Sequence, residues 1–120
     1  MREWRIDMPM TKPLNLNARV HWAVKAKQVS EVRRLACSLT LLAKVPPLRR
    51  IVVELHYVPR DKRRRDPLNL VAMLKPIEDG IVDAGVIPDD TPDFLRPTMP
   101  IIDAPNKQPA IYFLIKECNE

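Results

Sequence analysis

The sequence predicts one α+β domain spanning residues 1–120, built on a mixed or antiparallel sheet with two main helices. Three observations carry that prediction. Residues 49–58 alternate Ile51, Val53, Leu55 and Tyr57 with Arg50, Val52, Glu54 and His56, the period of two that a half-buried strand requires. Two other segments space apolar residues as helix faces: Val29, Val32, Ala36, Leu39 and Ala43 in one, Leu70, Leu74, Ile77 and Ile81 in the other. Thirteen prolines against two glycines punctuate the chain and keep each element short.

In chain order, Trp4, Ile6 and Met8 alternate with Arg5 and Asp7, which predicts a first strand that Pro9 and Pro13 terminate. Residues 14–22 show no clean period and read as a structured loop. The first helix follows, with Lys27, Arg34 and Ser38 opposite its apolar face, and it must stop before Pro46 and Pro47, whose rings cannot donate a hydrogen bond. Pro59 closes the 49–58 strand. The second helix carries Lys75, Asp79 and Asp83 at i, i+4 and i+8 opposite its apolar face, and Gly85 is suited to end it. Prolines divide residues 92–109, leaving one short strand within 94–102. Residues 110–116 are apolar on both faces, as in a central strand; at a sheet edge such a strand would invite a second copy.

No apolar run approaches the roughly 18 residues of a membrane span, and charges interrupt the first residues, so no secretory signal is read. The protein is expected in the cytoplasm, without membrane attachment. Cys37 and Cys118 stand far apart with no CxxC neighbour, which indicates neither a zinc site nor a disulfide framework. The net charge of +5 conceals an asymmetry. Residues 66–93 hold seven acids and one base, a net −6, while the remainder holds nineteen bases and eight acids, a net +11. A basic surface attracts phosphate, whereas an acidic cluster repels it unless cations bind there.

The chemistry-bearing residues fall in three segments. Arg60, Lys62, Arg63, Arg64 and Arg65 form a basic run; Asp66, Pro67, Leu68 and Asn69 adjoin it; Asp89 and Asp90 follow the second helix. Phosphate-binding groups beside a carboxylate suit Mg²⁺, which takes one or two carboxylates together with water and substrate phosphates. The residues also admit plainer readings. Asp66 before Pro67 is a good helix start, Asp89-Asp90 suits a turn, and Lys75 with Asp79 suits an exposed i, i+4 pair. His21 and His56, each alone in the sequence, read as structural or DNA-contacting, and Trp22 reads as packed on the domain or stacked on a base.

The run Arg63-Arg64-Arg65-Asp66-Pro67-Leu68-Asn69-Leu70, then Lys75, Asp79-Gly80-Ile81-Val82-Asp83-Ala84-Gly85-Val86 and Asp89-Asp90, resembles the core motif of RusA-type Holliday junction resolvases. Residues 15–22, with Asn17 and Arg19, resemble the asparagine-rich loop after that family's first strand. The resemblance implies a RusA-like fold and a homodimeric, Mg²⁺-dependent endonuclease acting on four-way DNA junctions, of the kind often carried by phages and prophages. By position it implies Asp66 and Asp90 at the metal with Asp89 or Asp93 as a substitute ligand, Lys75 as the catalytic lysine, and Asn17, Arg19 and Asn69 with the basic run on DNA. Two departures bear on activity. Leu68 stands where the family motif has its second aspartate, and Lys75 lies nine positions after Asp66 where six is common. A helix starting at Pro67 would carry Lys75 about 13 Å down its axis; a start near Pro76 would ease that separation. The alternative expectation is a branched-DNA-binding protein whose metal site decayed at Leu68, and a third is a basic interaction protein without DNA function.

Overall fold

The computed structural model describes residues 1–14 and 21–118. Its elements are β1 (Glu3–Met8), α1 (Trp22–Leu42), β2 (Ile51–Val58), a 3₁₀ turn (Pro67–Leu70), α2 (Val71–Asp83), β3 (Leu95–Arg96), β4 (Ile101–Ile102) and β5 (Ala110–Glu117). The five strands make one mixed sheet in the order β1-β5-β2-β3, with β4 also on β2. β5 runs antiparallel to both β1 and β2, whereas β3 and β4 lie parallel to β2 on its far side. The chain is thus a single α+β domain in which α2 is the crossover between parallel strands.

Strand alternation assigns the two faces. Ile6 and Met8, Ile51, Val53, Leu55 and Tyr57, and Ile111, Phe113 and Ile115 form a single core with residues of both helices. The other face carries Glu3, Arg5, Asp7, Glu54, His56, Tyr112 and Lys116. β5 lies in the middle of the sheet, as its two-sided apolar sequence requires, so it is not an edge open to a second copy. The single strand expected within 94–102 is two short ones, because Pro97 and Pro100 each remove a ladder donor.

α1 is longer than its apolar spacing indicates. It starts at Trp22, capped by His21, whose Nδ1 accepts from the Ala23 N–H at 3.1 Å. Only its later turns reach the core, through Val32, Ala36 and Thr40, and Val29 is 40% exposed. Trp22 does not pack on the domain; it is 75% exposed, with its ring tilted against His21. In α2 the expected face is the buried one: Leu74, Ile77 and Ile81 all point into the core, with Leu70 just before them. The α-helix starts at Val71, and Pro76 lies inside it rather than at its start. Gly85 follows at φ +84°, the left-handed conformation that ends helices at low cost for glycine. Among the described residues no helix is long and apolar enough to cross a membrane.

Candidate nucleic-acid and metal site

The basic loop that leaves β2 is organised by Asp61. Its Oδ1 accepts from the Arg63 backbone N–H at 3.1 Å and from Arg65 Nη2 at 2.8 Å, while Arg65 Nη1 donates to the carbonyls of Asp61 and Arg63 at 2.9 Å each. The Arg65 guanidinium also lies 5.8 Å from the Tyr57 ring centre. The Arg63 N–H and the Arg65 guanidinium hold the Asp61 carboxyl below its usual range. Arg65 is therefore a loop staple, and Arg63 is partly engaged, with Nε 3.4 Å from Asp61. Arg60, Lys62 and Arg64 are exposed and make no ion pair among the described residues. The basic run thus splits into residues that shape the loop and residues free to meet phosphate. Beside it lies an open groove of about 850 Å³, lined among others by Lys12, Leu14, Tyr57, Arg64, Asp66 and Asn69.

Asp66 sits at the mouth of this groove and caps the 3₁₀ turn: its Oδ1 accepts from the Leu68 N–H at 3.0 Å, and its carbonyl accepts from Asn69 N at 3.0 Å. The helix-start reading of Asp66-Pro67 is what the geometry contains, and Oδ2 is left over for another partner. Leu68 is 57% exposed and contributes nothing to the core. Asn17 and Arg19 lie outside the described residues.

The second half of the candidate site is on the exposed face of α2. Lys75 Nζ pairs with Asp79 at 3.1 Å and donates to Asp90 in the loop after the helix. Asp90, then Asp79, raise the lysine above its usual range, and the lysine lowers Asp90. Asp89 is exposed, its Oδ1 accepting from the Asp90 N–H at 2.8 Å; the hydrogen-bonded turn lies just beyond the pair, where Phe94 N–H donates to the Thr91 carbonyl at 2.9 Å. Asp79 and Asp83 also face Arg33 of α1, at 3.9 and 2.6 Å.

Lys75 is therefore tied to Asp90, and not to Asp66. The four-residue 3₁₀ turn and the first five residues of α2 separate position 75 from Asp66, about 15 Å of axial rise, and no hydrogen bond or ion pair among the described residues bridges them. Among the described residues no group of three or more His, Cys, Asp or Glu side chains forms a metal cluster. Mg²⁺ needs fewer protein ligands than that. Asp79 and Asp90 are two hard-oxygen donors already converged on a cation, the Lys75 ammonium, so their chemistry fits such an ion.

Glu78 is the member of this cluster that sequence reasoning missed. It is half-buried, and burial pushes its carboxyl up to about 7, with Asp90 and Asp79 adding to the rise and Lys75 opposing it. The signal was its position four residues after Leu74 and three before Ile81, on the border of the apolar stripe. Between the ordinary value of 4.5 and about 7 the folded protein holds a proton that the unfolded chain has released. Stability attributable to Glu78 is accordingly full below that window and falls as pH rises through it. Glu78→Gln is expected to flatten this dependence and to raise stability above pH 7 by about 2 kcal/mol once solvent screening of the half-exposed group is allowed for. Thermal melts of both proteins across the window check it; parallel pH profiles would remove Glu78 as the cause.

His56, alone in the sequence, is surrounded in space. Its Nδ1 lies 3.0 Å from Asp103, its Nε2 lies 3.2 Å from Glu54, and its ring stacks on Tyr112 at 4.7 Å. Lys116 donates to Glu54 at 2.9 Å, and Tyr112 to Asp103 at 3.0 Å. This network ties the segment after β4 to the sheet.

No protein-family model matches this chain, and a search of curated proteins finds no relative.

Proposed function

We propose that the protein is a structure-selective DNA endonuclease of the RusA type that nicks four-way junctions with Mg²⁺, acting as a homodimer. The observation that carries this reading is the loop of exposed cations, Arg60, Lys62 and Arg64, which make no ion pair among the described residues and run directly into Asp66, ahead of α2, whose exposed face carries Lys75 and Asp79 with Asp90 of the following loop beside them. The three cations bind phosphate. Mg²⁺ supplies activation of water and stabilisation of the leaving oxygen. Asp79 and Asp90 offer it one seat, at which Lys75 is the competing cation. Asp66 offers another with a single carboxylate. Lys75, charged and held by two acids, is placed to neutralise a phosphate that displaces it from one of them.

A second reading is favoured by two specific observations, the apolar side chain at 68 and the separation of Lys75 from Asp66: the protein binds branched DNA and cleaves it slowly or not at all. Gel shift and cleavage of a synthetic four-way junction, with and without Mg²⁺, decide between them. Failure to bind the junction at ~100 mM salt, where phosphate contacts still hold, would favour a basic protein without DNA function.

Leu68 provides a directed test. Its exposure leaves room for a carboxylate, so Leu68→Asp should fold as the natural chain does. It should tighten Mg²⁺ binding about tenfold, equivalent to ~1.4 kcal/mol, and increase junction cleavage. Asp66→Asn should abolish residual cleavage and spare DNA binding if the metal sits at the head of the helix. Asp90→Asn should do so if it sits beside Lys75. If the natural chain cuts efficiently and Leu68→Asp adds nothing, the metal does not use position 68.

A further inference from the structure

β1 is the outer strand on its side of the sheet, paired only with β5 among the described residues. The direction of its backbone groups follows from the ladder. The Arg2 carbonyl accepts from Glu117 N, so the backbone groups of Arg2, Trp4, Ile6 and Met8 face β5. Those of Glu3, Arg5 and Asp7 face outward. The same three residues put their charged side chains on the open face, where Arg5 lies 3.8 Å from the Tyr112 ring centre and 3.0 Å from Asp7. Mixed signs on an outer strand differ from the like charges that keep edges apart.

We propose that β1 pairs antiparallel with β1 of a second copy, with Ile6 opposite Ile6 at the two-fold axis. Charge and pattern select that register. Centring the pair on Arg5 would set Arg5 against Arg5 and Glu3 against Asp7, like charge on like charge in every case. Moving the centre to Ile6 sets each Arg5 against the other copy's Asp7, with both residues presenting outward N–H and C=O groups to each other. It also sets Trp4 against Met8 on the helix-bearing face. Centring on Trp4 is electrically acceptable but pairs fewer residues of β1. The ladder stops at Pro9, which has no N–H. The result is a ten-stranded sheet with both helix pairs on one face and the two basic loops at diagonally opposite ends. This deepens the homodimer proposed above, and it is tested without DNA.

Sedimentation or light scattering over a dilution series should show the natural protein approaching twice its 13.9 kDa mass. Arg5→Asp places acid against acid twice and should weaken the dimer about tenfold or more. Arg5→Asp combined with Asp7→Arg exchanges the partners and should restore it. Arg5→Pro removes an outward donor without touching the β1–β5 ladder, and it should give a monomer whose melting temperature in the dilute regime matches the natural chain. A natural protein that stays monomeric at high concentration, or a dimer indifferent to all three variants, overturns the proposal. Junction binding by the monomeric variants is read separately, so loss of DNA affinity there concerns the nuclease reading and not the strand pairing.

Discussion

Gly80→Ala is expected to lower the melting temperature by about 10–20 °C, the equivalent of roughly 3 kcal/mol in a domain of this size. Gly80 is where α2 crosses α1. A β-carbon there would lie 2.5 Å from the Arg33 carbonyl oxygen, 2.7 Å from the Ala36 β-carbon and 2.9 Å from the Cys37 nitrogen. Two of those three atoms are backbone in the middle of a helix, so neither can turn aside as a side-chain tip would. Alanine's better helix propensity returns about 1 kcal/mol, which is too little to offset the clash. The helices would have to separate, loosening Val32 and Ile77 together. Gly85→Ala is the control: nothing lies within 4 Å of its β-carbon, and its cost is the strain of φ +84° alone, about 1 kcal/mol. Equal melting temperatures for Gly80→Ala and the natural protein would show that the helices cross with more room than the geometry allows.

Neutralising Arg60, Lys62 and Arg64 together should weaken junction binding by roughly a hundredfold at moderate salt and reduce the slope of log affinity against log salt by about 2.7, near 0.9 for each phosphate that no longer meets a cation. The three side chains are exposed and none supports the loop, so the melting temperature should hold. Arg65→Ala should behave in the opposite way. It deletes the hydrogen bonds to Asp61 and to the Asp61 and Arg63 carbonyls, disordering the loop while leaving the exposed cations Arg60, Lys62 and Arg64 in place. Anisotropy titrations at several salt concentrations separate the two, and an unchanged slope in the triple variant would remove this loop from the interface.

Much of the fold was legible because local pattern and tertiary burial agree. The stripe Leu74, Ile77, Ile81 reads as a helix face and is one, with Leu70 buried in the 3₁₀ turn just ahead of it, and the two-sided apolar run at 110–116 reads as a central strand and is one. Length was harder. The first turns of α1 have no core to meet, so no apolar period marks them, and a histidine cap is a weak signal beside Ser or Asp. β3 and β4 pair with β2 over two residues each, too short for alternation to register. At the candidate site, individual residue chemistry was legible and its grouping was not. Spacing separates Lys75 from Asp66, but only the loop after α2 brings Asp90 to Lys75. The basic run reads as one electrostatic unit, whereas Asp61 takes Arg65 out of it.

The central position of β5 has a consequence for synthesis. Glu3 pairs with Lys116, so β1 leaves the ribosome long before β5, its partner among the described residues, and β2 also waits for its longer neighbour. At 5–20 residues per second that interval is on the order of ten seconds, during which the apolar sides of β1 and β2 have no sheet to complete. The helical hairpin of α1 and α2, which needs only residues 22–83, can form first and shelter β2. Docking of β5 between strands already waiting is then the step that commits the chain, and it closes the largest loops in the molecule last.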